Sequence, residues 1–190
     1  MTGRVELGRI RTVALVAAML GLLAVAAGCG GSSASPEETW AGSVCSDVTT
    51  WKDQVQQSVD SVRKQLQSPQ SGMLTSIKSD INSAVDATTT LATNLKALEP
   101  PDTDEGKQAQ QQVDSLATEL KKTVDTVKST VAGLPEGAGA GQVVQALVPL
   151  APSLQSLATS ASNTLASVQA RSESLKQGFD DADACKPYRK

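Results

Sequence analysis

Ser35-Pro36-Glu37-Glu38-Thr39-Trp40-Ala41-Gly42-Ser43-Val44-Cys45-Ser46-Asp47-Val48 opens the stretch whose reading decides the fold. Ser35 stands at an N-cap, Pro36 at the first helical position and Glu38 three residues after the serine, a capping box with a favourable proline. The apolar residues from there are Trp40, Val44, Val48, Trp51, Val55, Val59, Val62 and Leu66, in steps of three or four. Those steps follow the helical repeat, whereas a strand needs alternation at every second residue. Asp47, Lys52, Asp53, Gln56, Gln57 and Arg63 fill the other positions. One face is therefore buried, and the helix ends before Ser68-Pro69.

Three more helical patterns follow. The second begins near Pro69 or Ser71, and its stripe is Leu74, Ile77, Ile81, Ala84, Thr88, Leu91, Leu95 and Leu98, a heptad seam with a thin middle at Ala84 and Thr88. Pro100 and Pro101 stop it, because the residue before a proline is pushed out of the helical region. The third starts at Asp102, with Glu105 completing a second capping box, and buries Ala109, Val113, Leu116, Leu120, Val124, Val127 and Val131. Gly133 is read as its C′ glycine, at the head of a glycine-rich connection running to Gly141. The fourth starts with Val143, Val144 and Leu147, is broken or kinked by Pro149 and Pro152, and resumes through Leu154, Leu157, Ala161, Leu165, Val168, Ser172, Leu175 and Phe179. The pattern predicts an all-α domain over 36–185, an antiparallel four-helix bundle with its fourth helix interrupted by prolines, then a tail at 186–190. A three-helix or extended coiled-coil arrangement stays open.

Before the bundle, residues 1–28 have the three parts of an export signal: Arg4, Arg9 and Arg11, an apolar run from Val13 to Ala27, and small residues. As a helix of ~1.5 Å rise per residue, that run falls short of a hydrocarbon core of ~30 Å. It ends in Ala26-Ala27-Gly28-Cys29, which resembles the lipobox of bacterial lipoproteins, although Ala26 stands where that family usually has leucine. The resemblance implies a diacylated Cys29 as the mature N-terminus, anchored on the extracytoplasmic face of a cell membrane. Residues 29–35 then form the lipidated cysteine and a Gly/Ser tether. Ordinary cleavage after Ala24-Val25-Ala26 is the alternative. As a whole the chain resembles small helical lipoproteins of actinobacteria, a resemblance that carries no assigned activity.

Composition narrows the function. Removing residues 1–28 takes three basic and one acidic side chain from seventeen and twenty, leaving a net charge of −5. That argues against nucleic acid or an anionic lipid surface as partner. Histidine is absent, which removes the commonest general base and transition-metal ligand. With Cys29 lipidated, two of the three cysteines remain, and Cys45 and Cys185 can pair in an oxidising compartment. In an up-down-up-down bundle they fall at the same end. Two free thiols are the other reading.

No catalytic residues, cofactor or metal are expected. Asp180, Asp181 and Asp183 lack the ligand spacing of a calcium loop and read as a solvated helix end. The serines have no histidine partner and no nucleophile elbow. Trp40 and Trp51 point the same way, either to plug the core near the disulfide or to edge a ligand groove. Similarly, residues 133–152 form either a plain connection or a cover over Val143, Leu147, Val148 and Leu150. The leading expectation is a membrane-anchored module acting by protein contact or as an envelope spacer. The alternative is a carrier of a hydrophobic small molecule, held where Ala84, Thr88, Ala158 and Ala161 leave little bulk.

Overall fold

A computed structural model describes residues 33–189 apart from 69, 71, 136, 137, 148 and 149, and gives no side-chain description for 140 and 150–155. The signal segment, Cys29, Pro69, Val148 and Pro149 lie outside the described residues, as do the side chains of Leu150, Pro152 and Leu154. The chain divides into two units, residues 1–33 and 34–190, and all but Ser33 of what is described belongs to the second.

Among the described residues all regular structure is helical: α1 (Pro36–Gln67), α2 (Met73–Ala97), α3 (Asp104–Ala132), α4 (Ala140–Leu147), α5 (Leu150–Gln169) and α6 (Glu173–Asp181), closed by a 3-10 segment, Asp183–Tyr188. The Ser35 hydroxyl accepts from the Glu38 amide at 3.0 Å, the cap the sequence predicts. Along the helices, hydroxyls such as Ser43, Thr89, Thr93, Thr118 and Thr126 donate to the carbonyl four residues back. Such bonds satisfy the hydroxyl within its own helix, which suits a Ser/Thr-rich chain.

Three local details differ from the sequence reading. The N-cap of α3 is Thr103, whose hydroxyl accepts from Gly106 at 2.9 Å, so the helix starts two residues after Asp102. Gly106 rather than Glu105 occupies the third helical position there, because a Cβ at 106 would run into the Pro101 carbonyl oxygen. Asp102 pairs with Lys107 at 2.8 Å instead. Gly133 has φ −75°, an ordinary right-handed conformation, so α3 ends without a left-handed glycine. The stripe from Leu154 to Phe179 is two helices and not one. Ser172 is extended (φ −152°, ψ 159°) and its hydroxyl accepts from Leu175 at 3.2 Å, starting α6 afresh.

That last break positions the disulfide. It lets α6 press on the first turn of α1, where a Cβ on Gly178 would lie 2.7 Å from the Glu37 carbonyl carbon. The 3-10 segment then carries Cys185 to Cys45, with Cα atoms 5.1 Å apart and sulfurs bonded. The pairing expected from cysteine parity is the one observed. Arg189 secures the tail by donating from Nη2 to the Ala182 carbonyl at 2.8 Å.

The helices pack in a cycle: α1 on α2, α2 on α3, α3 on α5, α5 on α6, and α6 back on α1. Polar pairs mark the register. Asp47 accepts from Asn94, Trp51 donates to Thr88, and Ser61 donates to Asp80 across α1 and α2. Gln108, Gln112 and Glu119 of α3 pair with Arg171, Ser167 and Ser160. The buried apolar residues form three separate groups. A large one surrounds the disulfide and includes Trp40, Leu95, Leu120, Leu165, Leu175 and Phe179. A second is Val85, Val124, Val127 and Val131. A third is Ile77, Ala138 and Val143.

Candidate functional site

Where the three apolar groups fail to merge, a hollow partly open to solvent remains between the helices. A cavity of about 200 Å³ is bounded by Trp51, Val55, Ser58, Val59 and Val62 of α1 and by Asp80, Ile81, Ala84, Val85 and Thr88 of α2. Thr123, Val124 and Val127 of α3 close another side, with Leu147 of α4 and Leu157 of α5. The cause is side-chain length. Valine and alanine carry only short side chains, so the facing stripes of α1, α2 and α3 meet across a gap that Leu or Phe would fill.

Its wall is almost wholly apolar, and the polar groups it does hold are partly engaged. Trp51 Nε1 donates to the Thr88 hydroxyl at 3.0 Å, and that hydroxyl donates to the Ala84 carbonyl at 2.7 Å. Asp80 accepts from Ser61 Oγ at 2.7 Å and from Gln65 Nε2. Ser58 is buried in the wall. A mainly hydrophobic lining with a few placed polar groups is the usual make-up of a small-molecule pocket.

The two tryptophans share one core group but have different partners. Trp40 sits edge-to-face on Phe179, with ring centroids 6.1 Å apart, and its Nε1 donates to Gln110 Oε1 at 3.1 Å. Gln110 returns a bond from Nε2 to the Leu95 carbonyl at 2.9 Å, knitting α1, α2 and α3 together. This glutamine was missed by the sequence reading, because a polar residue beside the stripe gives no periodic signal. Both tryptophans belong to the large core group, and Trp51 also borders the hollow.

Of the four small residues named for a ligand gap, Ala84 and Thr88 line the cavity, Ala161 is packed in the large core group and Ala158 is exposed. Val143 is buried against Ile77 and Ala138, and Leu147 reaches the cavity. Asp180 lies 3.7 Å from Lys176, and Asp183 lies 2.8 Å from Lys186, whose ammonium holds the carboxyl of Asp183 below its usual range through a hydrogen bond and charge attraction. Among the described residues no group of three or more His, Cys, Asp or Glu is arranged to hold a metal. A wider groove of about 650 Å³, lined in part by Glu38, Asp47, Asn94 and Asp183, lies at the disulfide end and is open to solvent. No helix among the described residues is long and apolar enough to cross a membrane.

Comparison with known proteins gives no match: no family model, curated protein or solved structure matches the chain.

Proposed function

We propose that this chain is an exported lipoprotein, held by diacylated Cys29 on the outer face of a cell membrane, whose helical domain binds an apolar small molecule. The observation that carries the binding reading is the half-open apolar hollow bordered by α1, α2 and α3 together with Leu147 and Leu157. Sequence reasoning ranks protein contact first and the carrier second; the surface favours the reverse order. Val144 is the one large apolar side chain that is exposed among the described residues, at 41%. A protein-docking face normally gathers several such side chains.

The domain is read as an antiparallel four-helix bundle, with α5 and α6 together as its fourth member. Pair numbering supports this: along α1 the partners 47, 51 and 61 meet 94, 88 and 80, and along α3 the partners 108, 112 and 119 meet 171, 167 and 160. Two acyl chains at ~0.8 kcal/mol per buried methylene give stable anchoring. The bound molecule would then be met at or near a membrane surface.

Mass spectrometry on protein taken from its native membrane tests both halves. The expected result is a diacylglyceryl mass on Cys29 and an apolar molecule that co-elutes with the protein and is lost from an Ala84→Leu variant. A mature N-terminus at Ala27 with unmodified Cys29 overturns the anchor. Equal recovery of the molecule from wild type and the filled variant overturns the cavity as its site.

A further inference from the structure

The cavity does not end in an apolar wall on every side. Ser58 and Asp80 line it, and the same two residues line a second hollow, a polar cleft of about 550 Å³ between α1 and α2. Gln54, Gln57, Ser61 and Ser83 supply hydroxyl and amide groups to that cleft. The two hollows thus share a border made of one hydroxyl and one carboxylate. An apolar hollow with a hydroxyl and a carboxylate at its edge has the division of an amphiphile, with the tail among the valines and the head at Asp80.

Charge chooses the head. Among the described residues Asp80 is the only charged group lining the cavity, Asp80 and Asp86 are the only charged groups lining the cleft, and neither lining includes a cation. Asp80 is half-buried, with one carboxylate oxygen, Oδ2, taking bonds from Ser61 and Gln65. An ionised carboxylate takes hydrogen bonds and gives none. A like charge placed a few ångströms away in a partly desolvated site is repelled far more strongly than in water.

Resting on the binding function proposed above, we infer that the ligand is a single-chain amphiphile whose head donates a hydrogen bond and carries no negative charge. A short- to medium-chain alcohol or amine has that chemistry. A free fatty acid or a phosphate ester does not. Size agrees with one chain: about 200 Å³ lies below the ~300–1,000 Å³ of pockets for drug-sized ligands, and above the ~150 Å³ of engineered apolar cavities that hold benzene. Asp80 acts as a specificity-determining residue.

The test uses full-length protein in its native membrane and three photoactivatable hexyl probes ending in an alcohol, an amine or a carboxylic acid. Labelling of residues that line the cavity, such as Val59 and Ile81, is mapped by mass spectrometry and divided by labelling of bulk lipid in the same sample. The alcohol and the amine should each label at least about tenfold more than the acid, a difference near 1.4 kcal/mol. Asp80→Asn should bring the acid to within about threefold of the alcohol, and Asp80→Glu should keep the discrimination. Equal labelling by acid and alcohol in wild type, or discrimination that survives Asp80→Asn, overturns the inference while leaving the cavity as a binding site. Absence of cavity labelling by all three probes overturns the binding function itself.

Discussion

The two halves of the helical domain use the same secondary structure and differ in what fills them. Around Cys45–Cys185 the core holds Trp40, Phe179, Leu175, Leu165 and Leu95, each almost fully enclosed. Beyond Trp51 the α1 stripe continues as Val55, Val59 and Val62, all only half-buried, around a hollow. Helical periodicity is equally good in both halves. Periodicity fixes which way side chains point, and their volume decides whether the space between helices closes.

This contrast can be tested by mutation. The largest effect is expected at the closed end. Replacing both disulfide partners (Cys45→Ala with Cys185→Ala) opens a loop of 140 residues and should cost up to about 5 kcal/mol in urea unfolding. Loss below about 1 kcal/mol would mean that packing alone holds that end. Next comes a matched pair of truncations. Phe179→Ala, in the tight half, should cost about 3–5 kcal/mol, whereas Val59→Ala, beside existing empty space, should cost about 1 kcal/mol or less. Equal costs would erase the distinction between the halves.

Filling the hollow reverses the sign. Ala84→Leu projects into the cavity and should stabilise the protein by about 0.5–2 kcal/mol in the absence of ligand, read as a higher unfolding midpoint. A lower midpoint would show that the space is needed for folding. The smallest effect concerns pH. The hydrogen bond and charge of Lys107 lower the pKa of Asp102, and Asp102 in turn raises that of Lys107. The depressed carboxyl contributes stability that is present above its unfolded pKa and lost as pH falls through its folded value. The raised ammonium contributes stability that is present below its unfolded pKa and lost as pH rises through its folded value. The pair is solvent-exposed, so Asp102→Asn should flatten these slopes only slightly, and less in high salt.

Sequence legibility follows the same division. Helix existence, the Ser35 cap and the covalent partner of Cys45 could be read because each rests on local spacing or parity. The restart at Ser172 was hidden, since Ser172 falls on the helical stripe and serine is common inside this chain's helices. Ala84 and Thr88 were recognised as thin, but Ala161 was not separable from them. Whether a small residue leaves a gap depends on what faces it from two other helices. Ser58 and Asp80 gave no signal for the same reason: they line two hollows that form only when α1 and α2 pack.

The bond between Cys45 and Cys185 also makes the intervening chain a covalent ring. A single cut within the ring, for instance in the glycine-containing connection after α3, would leave both fragments joined. The cut protein would migrate as one species until a reductant was added. Damage that would divide a linear chain in two leaves this one in one piece.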